Sequence, residues 1–492
     1  MKFRIARARF GAGIVLLAAF IFSGCPKPPL VPEKPSGSLL GYKNVVYTCS
    51  TRTTDPSGGQ VAYQFDWGDG SQSQWSGWVD GGVAYADTHT YTTAGSMEIR
   101  ARAKNAKGRV SGWSEPLIIE ISPGEGEVRW RFTYTDPESP EDSADFSNHI
   151  FSIGPEGNIY IPASDIPALL CRNTNGNRRW EFIPENEDEL SIGATIAGDG
   201  TIYIGTEEGD LYALTPTGQK KWRTTFRSGI TALPALGLDG TIFIQTENDS
   251  VFAINPEDGS RKWVFYAGGG EHSPVIGPDG TVFVSQDDTL YALSPSDGQI
   301  KWRYGMRQAV AAPPAIDTRS SVIYVTDEDG WLASVNLADG RENWAVRFVG
   351  ELSAPVIGSD GTIYITLTGT LLSLSPENGD INWQFIPPLT GDASTPAVSN
   401  TGVIYFLCVG LMDQQGDRDS LYAVNSDGTR RWAAALGIGT PGEFISAPKI
   451  DDAGYIYIGD GTRAWCVVGY GGPANSSWPM FGADIKNTGR AR

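Results

Sequence analysis

The chain has 492 residues, of which 40% are hydrophobic and 19% charged, so it is long enough for several domains and is not disordered by composition. Its 60 glycines, 31 prolines and 15 tryptophans indicate many turns and many buried aromatic side chains, as is typical of all-β folds. The formal net charge of −19 argues against binding nucleic acid or anionic lipid by general electrostatic attraction.

Residues 1–24 predict a secretory signal peptide. Four basic residues precede an apolar run over 14–22, which is too short to remain as a membrane-spanning helix. The next residues, Ser23, Gly24 and Cys25, resemble a bacterial lipobox, in which the cysteine is lipidated and becomes the mature N-terminus. The resemblance implies a lipid anchor at Cys25 as the membrane contact. The alternative is an ordinary signal peptide with an incidental cysteine.

The proline-rich stretch over 25–36 predicts a stiff, extended tether between the lipidated cysteine and the first domain. Export through a lipobox implies the outer membrane, on its periplasmic side or at the cell surface. The composition is compatible with disulfides after export, but the sequence does not require one.

Residues 37–122 read as short strands separated by glycine-containing turns and predict a β-sandwich. The run Trp67-Gly68-Asp69-Gly70, followed by His89-Thr90-Tyr91, resembles the polycystic-kidney-disease (PKD) domain, an immunoglobulin-like sandwich. A closing Ser-Gly-Trp-Ser-Glu-Pro is similar to fibronectin type III domains. The resemblance implies a spacer or adhesion module. We expect the nearby Asp66 and Asp69 to shape the turn rather than to bind Ca²⁺.

Residues 125–470 contain eight repeats of about 40 residues, each with a β-turn-β unit followed by a tryptophan. Four short strands per repeat at this period predict an eight-bladed β-propeller. The repeated tryptophans are Trp130, Trp180, Trp222, Trp263, Trp302, Trp344, Trp383 and Trp432.

Two further positions recur in these repeats. A proline in the first strand favours a sheet edge, because proline lacks the N–H that an inner strand must donate; these are Pro234, Pro274, Pro314, Pro355, Pro396 and Pro448. A small residue before each tryptophan predicts the space into which that side chain packs. This position holds Cys171 and Cys466 in the first and last repeats and alanine or serine in the others, so both cysteines are expected to be small buried residues.

The combined pattern resembles the tryptophan-docking repeat of quinoprotein (PQQ-type) propellers, and the resemblance implies docking roles for Trp180, Trp222, Trp263, Trp302, Trp344, Trp383 and Trp432. The outer strand of the eighth blade can come from the segment around Trp130 or from the one around Trp478. We favour Trp130, because a ring closed by both ends of the chain resists opening. Residues 471–492 are then a C-terminal tail.

No catalytic, metal-binding or cofactor-binding residues are predicted. In quinoprotein dehydrogenases the resemblance would imply PQQ with Ca²⁺ in the central channel, but this sequence has no adjacent cysteine pair and no Cys-x-x-Cys-His motif. The only histidines, His89, His149 and His272, are not in a metal-binding spacing. Ca²⁺ binding at an acidic face is left open.

One face of the propeller is predicted to be strongly acidic. The turns between second and third strands emerge on the same side as the links between blades, and both are rich in Asp and Glu. The turns include Glu207, Glu208, Asp210, Glu247, Asp249, Asp287, Asp288, Asp327, Glu328 and Asp329, and the links include 184–190 and 135–146. The seventh repeat adds a long loop near Leu411, Met412, Asp413, Asp417 and Asp419, which we predict to bind a partner. The alternative is a surface that only maintains solubility.

The sequence therefore predicts a non-catalytic envelope lipoprotein whose propeller binds a protein or polysaccharide partner. The propeller is similar to the lipoprotein scaffold of the outer-membrane β-barrel assembly machinery, a family that lacks the PKD-like module. The enzymatic alternative is a PQQ-dependent dehydrogenase or a carboxylate-based hydrolase on the same propeller.

Overall fold

A computed structural model describes residues 27–133, 146, 149–163, 167–230, 232–248, 250–266, 272–388, 391–410, 420–436, 446–459 and 463–491. The chain divides into two compact units, 1–122 and 123–492. Both are built from β-strands, and the described residues contain no helix, which confirms the predicted all-β class. Accordingly, the described part of the chain has no helix with the length and apolar character needed to cross a membrane.

The first unit is a β-sandwich. The strands are β1 (Leu40–Tyr42), β2 (Val46–Thr51), β3 (Gln60–Asp66), β4 (Val79–Asp80), β5 (Tyr85–Thr90), β6 (Gly95–Asn105) and β7 (Leu117–Ser122). One sheet has the strand order β1-β7-β6-β3-β4, and the second consists of β2 and β5. The core of the sandwich contains Phe65, Trp67, Tyr91 and Ile99, all buried.

The turn that follows β3 uses its carboxylates locally. Asp66 accepts a hydrogen bond from the Gly68 N–H (3.1 Å), and Asp69 accepts one from the Ser71 N–H (2.9 Å). The other oxygen of Asp69 lies 2.7 Å from His89 Nε2, and the His89 ring stacks on Trp67 with 4.8 Å between ring centroids. The carboxylates of this turn therefore form an internal hydrogen-bond network, as expected for Asp in turns.

The prediction of a free tether over 25–36 is wrong for the part that the structure describes. Residues 27–36 run along the sandwich: the Leu30 N–H donates to the Thr54 carbonyl and the Glu33 N–H to the Arg52 carbonyl, both at 3.0 Å. Every third residue, Pro29, Pro32 and Pro35, is buried. A polyproline II helix has three residues per turn, so these prolines share one face, which packs against the sandwich.

The second unit contains eight sheets in the described residues. Each consecutive group of strands forms one sheet, which we number 1 to 8 in chain order. Sheet 1 is β9 (Ser152–Ile153), β10 (Ile159–Ala163), β11 (Ala168–Arg172) and β12 (Arg178–Phe182). Sheet 2 is β13 (Thr195–Ile196), β14 (Ile202–Gly205), β15 (Asp210–Leu214) and β16 (Lys220–Thr225). Sheet 3 is β17 (Ala235–Leu236), β18 (Ile242–Thr246), β19 (Ser250–Ile254) and β20 (Arg261–Tyr266).

The following three sheets repeat this four-stranded arrangement. Sheet 4 is β21 (Val275–Ile276), β22 (Val282–Gln286), β23 (Thr289–Leu293) and β24 (Ile300–Gly305). Sheet 5 is β25 (Ala315–Asp317), β26 (Val322–Thr326), β27 (Trp331–Asn336) and β28 (Glu342–Arg347). Sheet 6 is β29 (Val356–Ile357), β30 (Ile363–Leu367), β31 (Thr370–Leu374) and β32 (Ile381–Phe385).

Sheet 7 has one extra short strand, and sheet 8 takes a strand from the start of the unit. Sheet 7 is β33 (Gly391–Ala393), β34 (Ala397–Val398), β35 (Ile404–Gly410), β36 (Ser420–Val424) and β37 (Arg430–Ala435). Sheet 8 is β38 (Lys449–Ile450), β39 (Tyr455–Gly459), β40 (Arg463–Val468) and β8 (Val128–Thr133). The propeller fold is confirmed; the count of eight blades stays a prediction that these eight sheets support.

The first strands of neighbouring sheets contact each other around a central channel, for example β9 with β13, β17 with β21 and β29 with β34. Each recurring proline comes directly before such a first strand, so it lies at the channel edge of its sheet. The last sheet is completed by β8, which pairs antiparallel with β40 and sets Trp130 opposite Cys466. The segment around Trp130, and not the one around Trp478, therefore takes the outer position.

Neighbouring sheets are joined by the tryptophan of the outer strand. In sheet 4, Trp302 lies opposite Ala292, which lies opposite Phe283 on the next strand, so the two aromatic rings meet across the small residue with centroids 5.5 Å apart. The Trp302 Nε1–H donates to the Leu337 carbonyl of sheet 5 at 3.0 Å. A Cβ on Gly340 of that sheet would lie 2.6 Å from the indole ring. We call this contact between a tryptophan and the next sheet a dock. Each dock therefore needs a small residue in the tryptophan's own sheet and a glycine in the next sheet.

Six other tryptophans make the same inter-sheet hydrogen bond to a backbone carbonyl, at 2.8–3.1 Å. The donors Trp130, Trp180, Trp222, Trp263, Trp344 and Trp383 bind the carbonyls of Thr174, Pro216, Pro256, Pro295, Pro376 and Ser426. Trp432 is the exception: it packs against Gly126, but its Nε1 has no hydrogen-bond partner among the described residues. At this seam the third and outer strands of sheet 8 are not joined by a turn, so the usual carbonyl is absent from that place.

The four described cysteines are buried, and none forms a disulfide with another described residue. Cys171 lies opposite Trp180 just as Cys466 lies opposite Trp130, so both occupy the small-residue position of the dock. Burial raises the pKa of the Cys171 thiol to about 12 and also raises the pKa of Cys466. These thiols are therefore protonated and unreactive at neutral pH.

The C-terminal tail follows the inner strands around the channel. Its carbonyls accept hydrogen bonds from first-strand amides in turn: Trp478 from Ile357 (2.7 Å), Pro479 from Val398 (2.9 Å), Ile485 from Ile153 (2.7 Å), Lys486 from Ile196 (2.8 Å), Thr488 from Leu236 (2.9 Å) and Gly489 from Ile276 (2.7 Å). Sheet 5 contacts the tail through the Thr318 N–H and the Ser477 hydroxyl (3.2 Å). In sheet 8 the buried Lys449 ammonium donates to the Phe481 and Asp484 carbonyls. The tail thus bonds to all eight sheets at one end of the channel.

We predict that replacing the docking glycine is far more harmful than replacing a neighbouring glycine without a close contact. Gly340→Ala should lower the free energy of unfolding by about 1–3 kcal/mol, because the new Cβ overlaps the Trp302 ring. Gly340 also has a φ of 73°, which disfavours alanine. The control is Gly305→Ala, where a Cβ meets no atom within 4 Å. Chemical denaturation of both variants measures the difference; equal stability would contradict the docking account.

Removing the first large side chain of the tail should destabilise the propeller. Trp478 is 2% exposed and packs with the core of sheets 4 to 6, so Trp478→Ala should cost about 3–5 kcal/mol. Tyr266→Ala, at a side chain that is 73% exposed, is the control and should change stability by less than about 0.5 kcal/mol. Thermal unfolding followed by tryptophan fluorescence and calorimetry compares the two, and an unaffected Trp478→Ala protein would show that the tail is not part of the fold.

Candidate functional site

The end of the channel away from the tail opens into a cavity of about 890 Å³. Its walls come from the turns between second and third strands in sheets 3 to 5 and from the links between sheets. Four of the lining residues are acidic: Glu247, Asp287, Glu328 and Glu351. Neither lysine nor arginine is among the described lining residues. We call this opening, with these four carboxylates, the acidic mouth.

Two more carboxylates extend the acidic mouth towards sheet 2. Glu189, in the link before sheet 2, and Glu207, in the turn after β14, interact with each other and with Glu247. All six side chains are exposed, and none forms an ion pair with a described residue. The negative charge at this end of the channel is therefore not neutralised within the described part of the chain.

Although Glu207 is exposed by surface area, partial desolvation by the surrounding turns, together with repulsion from Glu189 and Glu247, raises its pKa above the usual value. A carboxyl with a raised pKa is one whose ionised form the folded protein disfavours. The same repulsion makes a cationic ligand favourable at this place, because a positive charge would relieve it. The direction of the pKa shift is thus a second sign of accumulated negative potential.

Some acidic residues expected at this face point elsewhere. Asp210 is 2% exposed and pairs with Arg223 (2.5 Å) and the Thr225 hydroxyl (2.6 Å). Asp327 is buried and accepts the N–H groups of its own turn, including that of Trp331 at 2.9 Å. Their expected place on the acidic surface is wrong: an ion pair and a hydroxyl hold Asp210 inward, and the backbone donors of its own turn hold Asp327 inward.

The inner wall of the cavity combines apolar surface with an unsatisfied hydroxyl. Val310, Ala311 and Leu352 line it, and His272 contributes a ring whose Nε2 lies 2.7 Å from the Val310 carbonyl. Ser285 also lines the cavity and is 2% exposed, yet its Oγ has no hydrogen-bond partner among the described residues. Sequence reasoning missed Ser285, Val310 and Leu352, since only the closed ring brings these loops together.

Several predicted site residues lie outside the described residues. The lipidation residue Cys25 is one, and the candidate partner-binding loop with Leu411, Met412, Asp413, Asp417 and Asp419 is the other. Most of the acidic link over 135–146 also falls outside them. Their roles stay predictions.

The described channel does not fit the cofactor that quinoprotein dehydrogenases hold there. PQQ is a tricarboxylate, and the acidic mouth would repel it. No group of three or more His, Cys, Asp or Glu among the described residues has the geometry to hold a metal ion that could offset this charge. The donor set therefore suits a cation better than an anionic quinone.

The propeller matches a family profile described as the outer membrane protein assembly factor BamB, over residues 168–385 and 328–464. Together these matches cover more than half of the chain. The chain belongs to this BamB-type repeat family. A PKD-domain profile matches residues 37–115, which confirms the resemblance of the first unit.

Individual relatives align with only part of this BamB-type chain. BamB from Nitrosomonas eutropha (strain DSM 101675 / C91 / Nm57) is 31% identical over 116 residues, which is 23% of this chain and 26% of that protein. The uncharacterized protein YxaL from Bacillus subtilis (strain 168) is 35% identical over 66 residues, 13% of this chain and 16% of that protein. The chain thus spans about a quarter or less of these curated relatives.

The fold likeness is broader. The crystal structure of BamB from Moraxella catarrhalis superimposes with a TM-score of 0.54 and covers 69% of this chain and 99% of that one, at 15% sequence identity. At this identity the likeness shows the propeller fold alone.

We predict that neutralising Glu207 stabilises the propeller in a pH-dependent way. A raised pKa means that the stability contribution of Glu207 is present below its unfolded pKa and is lost as the pH rises through its folded pKa. Glu207→Gln should therefore raise the melting temperature at pH 7–8 and have little effect near pH 4. Glu377→Gln, an exposed carboxylate in another turn, is the control. Melting curves across pH test this; a gain that is constant with pH would contradict the repulsion among these carboxylates.

Proposed function

We propose that this protein is a non-catalytic scaffold of the bacterial cell envelope, anchored by a lipid at Cys25, whose propeller binds another envelope protein through the acidic mouth. Membership of the BamB-type repeat family supports a protein-binding scaffold in the envelope. The observation that carries the proposal is the open cavity with four carboxylates and neither lysine nor arginine among its described lining residues.

The tail supports the choice of the opposite end as the binding surface. Its backbone occupies the amide groups of the inner strands at one end of the channel, so this end is taken up by contacts within the chain. At the other end the carboxylates have no such partners within the part of the chain that the structure describes. The candidate loop with Leu411 and Met412 lies in the sequence between β35 and β36, and we propose that it extends this surface.

The anchor has a structural consequence that depends on lipidation. The Lys27 carbonyl accepts a hydrogen bond from Asn105 of the sandwich at 3.0 Å, only two residues after Cys25. Lipid at Cys25 would then hold the PKD-like sandwich directly at the membrane surface, because residues 27–36 belong to the sandwich and provide no free spacer.

A site-specific crosslinking experiment in the native envelope tests the proposal. A photoreactive amino acid at the Glu328 position should yield one dominant protein adduct, whereas the same group at Glu377, an exposed turn residue outside the acidic mouth, should not. Substitution of Cys25→Ser should release the protein from the membrane fraction. Absence of a protein adduct at Glu328, or an adduct with polysaccharide only, would contradict protein binding.

The enzymatic alternative is a PQQ-dependent dehydrogenase or a carboxylate-based hydrolase. Absorbance of the purified protein after incubation with PQQ and Ca²⁺ distinguishes it. The scaffold proposal expects no stoichiometric quinone after gel filtration, and one bound quinone per chain would overturn it.

A further inference from the structure

The charge of the chain is divided unequally between its two units. Residues 25–122 contain nine basic and nine acidic residues, so the excess negative charge of the chain belongs to the propeller and not to the sandwich. The general repulsion that the whole chain exerts on anionic surfaces is therefore a property of the propeller. On the neutral sandwich, a local cluster of basic side chains can decide what the surface contacts.

A basic cluster lies at the end of the sandwich where the N-terminal segment arrives. Asn105, the buried last residue of β6, donates from Nδ2 to the Lys27 carbonyl at 3.0 Å. Its Oδ1 accepts the backbone N–H groups of Lys107 and Arg109, at 3.2 and 3.1 Å, and so shapes the turn that follows β6. The side chains of Lys27, Lys107 and Arg109 are exposed. Asn105 thus holds the start of the N-terminal segment beside a turn with two exposed cations.

Exposed apolar side chains surround this cluster. Val31, Trp78 and Val110 are 54%, 49% and 41% exposed. Val110 forms a β-bridge with Lys104, whose ammonium lies 6.0 Å from the ring centroid of Trp78 and 4.4 Å from that of Trp75. A surface with both exposed cations and exposed apolar groups suits the interface of a bilayer, where tryptophan is enriched. We call the side chains of Lys27, Val31, Trp78, Lys107, Arg109 and Val110 the anchor end.

Two carboxylates lie near the anchor end, and both accept hydrogen bonds within the sandwich. Asp55 is buried and accepts from the N–H and the hydroxyl of Ser57, at 3.0 and 2.9 Å, and it also interacts electrostatically with Lys107. Asp80, which pairs with Gln60 at the start of β3, accepts from its Nε2 at 3.0 Å. With Lys104, four basic side chains stand against these two acidic ones. This end of the sandwich is therefore positive.

We propose that the anchor end is a membrane-contact surface, which lies against the phosphate groups of an anionic phospholipid bilayer when Cys25 carries its lipid. This inference rests on the proposed lipid anchor and specifies how the sandwich meets the membrane. Cys25 precedes Lys27 by two residues, which span at most about 7 Å. The basic side chains then lie within about one Debye length, ~10 Å, of the headgroups. A basic surface beside an acyl anchor adds a second, electrostatic signal for membrane binding.

Hydrogen–deuterium exchange on vesicles tests this surface. The chain from Cys25 onward is coupled through Cys25 to a maleimide phospholipid, and the other four cysteines are buried and do not compete. Phosphatidylcholine vesicles are compared with vesicles that contain about 30% phosphatidylglycerol. We expect the amides over 106–110 to exchange about threefold or more slowly on the anionic vesicles, and this slowing to disappear at ~0.5 M salt.

The internal control is the turn over 91–94, which lies at the opposite end of β6. Its amides should exchange equally on both kinds of vesicle, because they face away from the bilayer. Equal exchange of residues 106–110 on both kinds of vesicle would overturn the proposal. A protein adduct from a photoreactive group at the Lys107 position in the native envelope would then assign this surface to a protein partner.

Two pairs of variants separate the anchor end from the total charge. Lys27→Gln combined with Lys107→Gln removes two charges from the anchor end and should reduce the slowing to less than about 1.5-fold. Lys34→Gln combined with Lys43→Gln removes two charges elsewhere on the sandwich, since the Lys43 N–H binds the Ser122 carbonyl at the opposite end. This second pair should keep the full slowing. Equal loss in both pairs would show attraction by total charge and would overturn the surface.

Trp78→Phe tests the apolar part of the anchor end. A nitroxide on the phospholipid headgroup quenches tryptophan emission only at short range. On anionic vesicles we expect the coupled parent chain to have a quenched component that Trp78→Phe lacks. Trp113→Phe is the control, because Trp113 packs on the Arg102 guanidinium (4.4 Å) and is not part of the anchor end. Equal quenching in the parent chain and Trp78→Phe would overturn the contact of Trp78 and with it the surface as stated.

The vesicle test and the tests of the scaffold function have separate outcomes, because chemical coupling supplies the lipid whether or not the cell attaches one. A dominant protein adduct at Glu328 without charge-dependent protection of residues 106–110 would leave the scaffold standing and refute the membrane contact. Charge-dependent protection, together with a Cys25→Ser protein that stays in the membrane fraction, would support the surface and refute the proposed anchor.

Discussion

The contact between each outer-strand tryptophan and the glycine turn of the next sheet is the constraint on which the propeller depends. A sheet of four short strands cannot bury both of its faces by itself, and each sheet here is covered by its neighbours. The tryptophan joins them because its ring packs at a tilt against an aromatic side chain of its own sheet and its N–H donates a hydrogen bond to the next sheet. Where the chain closes the ring, Trp432 retains the packing against Gly126 and lacks the hydrogen bond. The seam is therefore held by strand pairing of β8 with β40 and by the tail, rather than by this dock alone.

The two ends of the channel differ because the described part of the chain supplies hydrogen-bond partners for one of them and not for the other. Inner-strand amides at one end need acceptors, and the tail provides backbone carbonyls in sequence from Trp478 to Gly489. At the other end the exposed groups are carboxylates, which need cationic donors that the described chain does not place there. Because of this difference, the end of the channel with the carboxylates favours cationic groups.

The repeated features could be predicted from the sequence because they are local. Each repeat has a proline before its first strand, a small residue in its third strand and a tryptophan in its outer strand. The chemistry of one pair of neighbouring strands explains each of these, and their repetition makes the pattern clear. The tether over 27–36, the inward turn of Asp210 and Asp327 and the path of the tail could not be predicted in this way. They depend on contacts between residues that are distant in the sequence. The composition of the turns predicts that one end of the channel is acidic. Ser285, Val310 and Leu352 come together at that end only when the ring of sheets closes.

The central claim is that a partner binds at the acidic mouth and not at the tail end or the outer strands. Hydrogen–deuterium exchange of the propeller with and without its crosslinked partner measures this most directly. We expect slower exchange in residues 285–288, 309–311 and 350–352 on binding, and unchanged exchange in the turns around 199–201 and 239–241. Protection confined to those latter turns, or to the outer strands, would contradict the account.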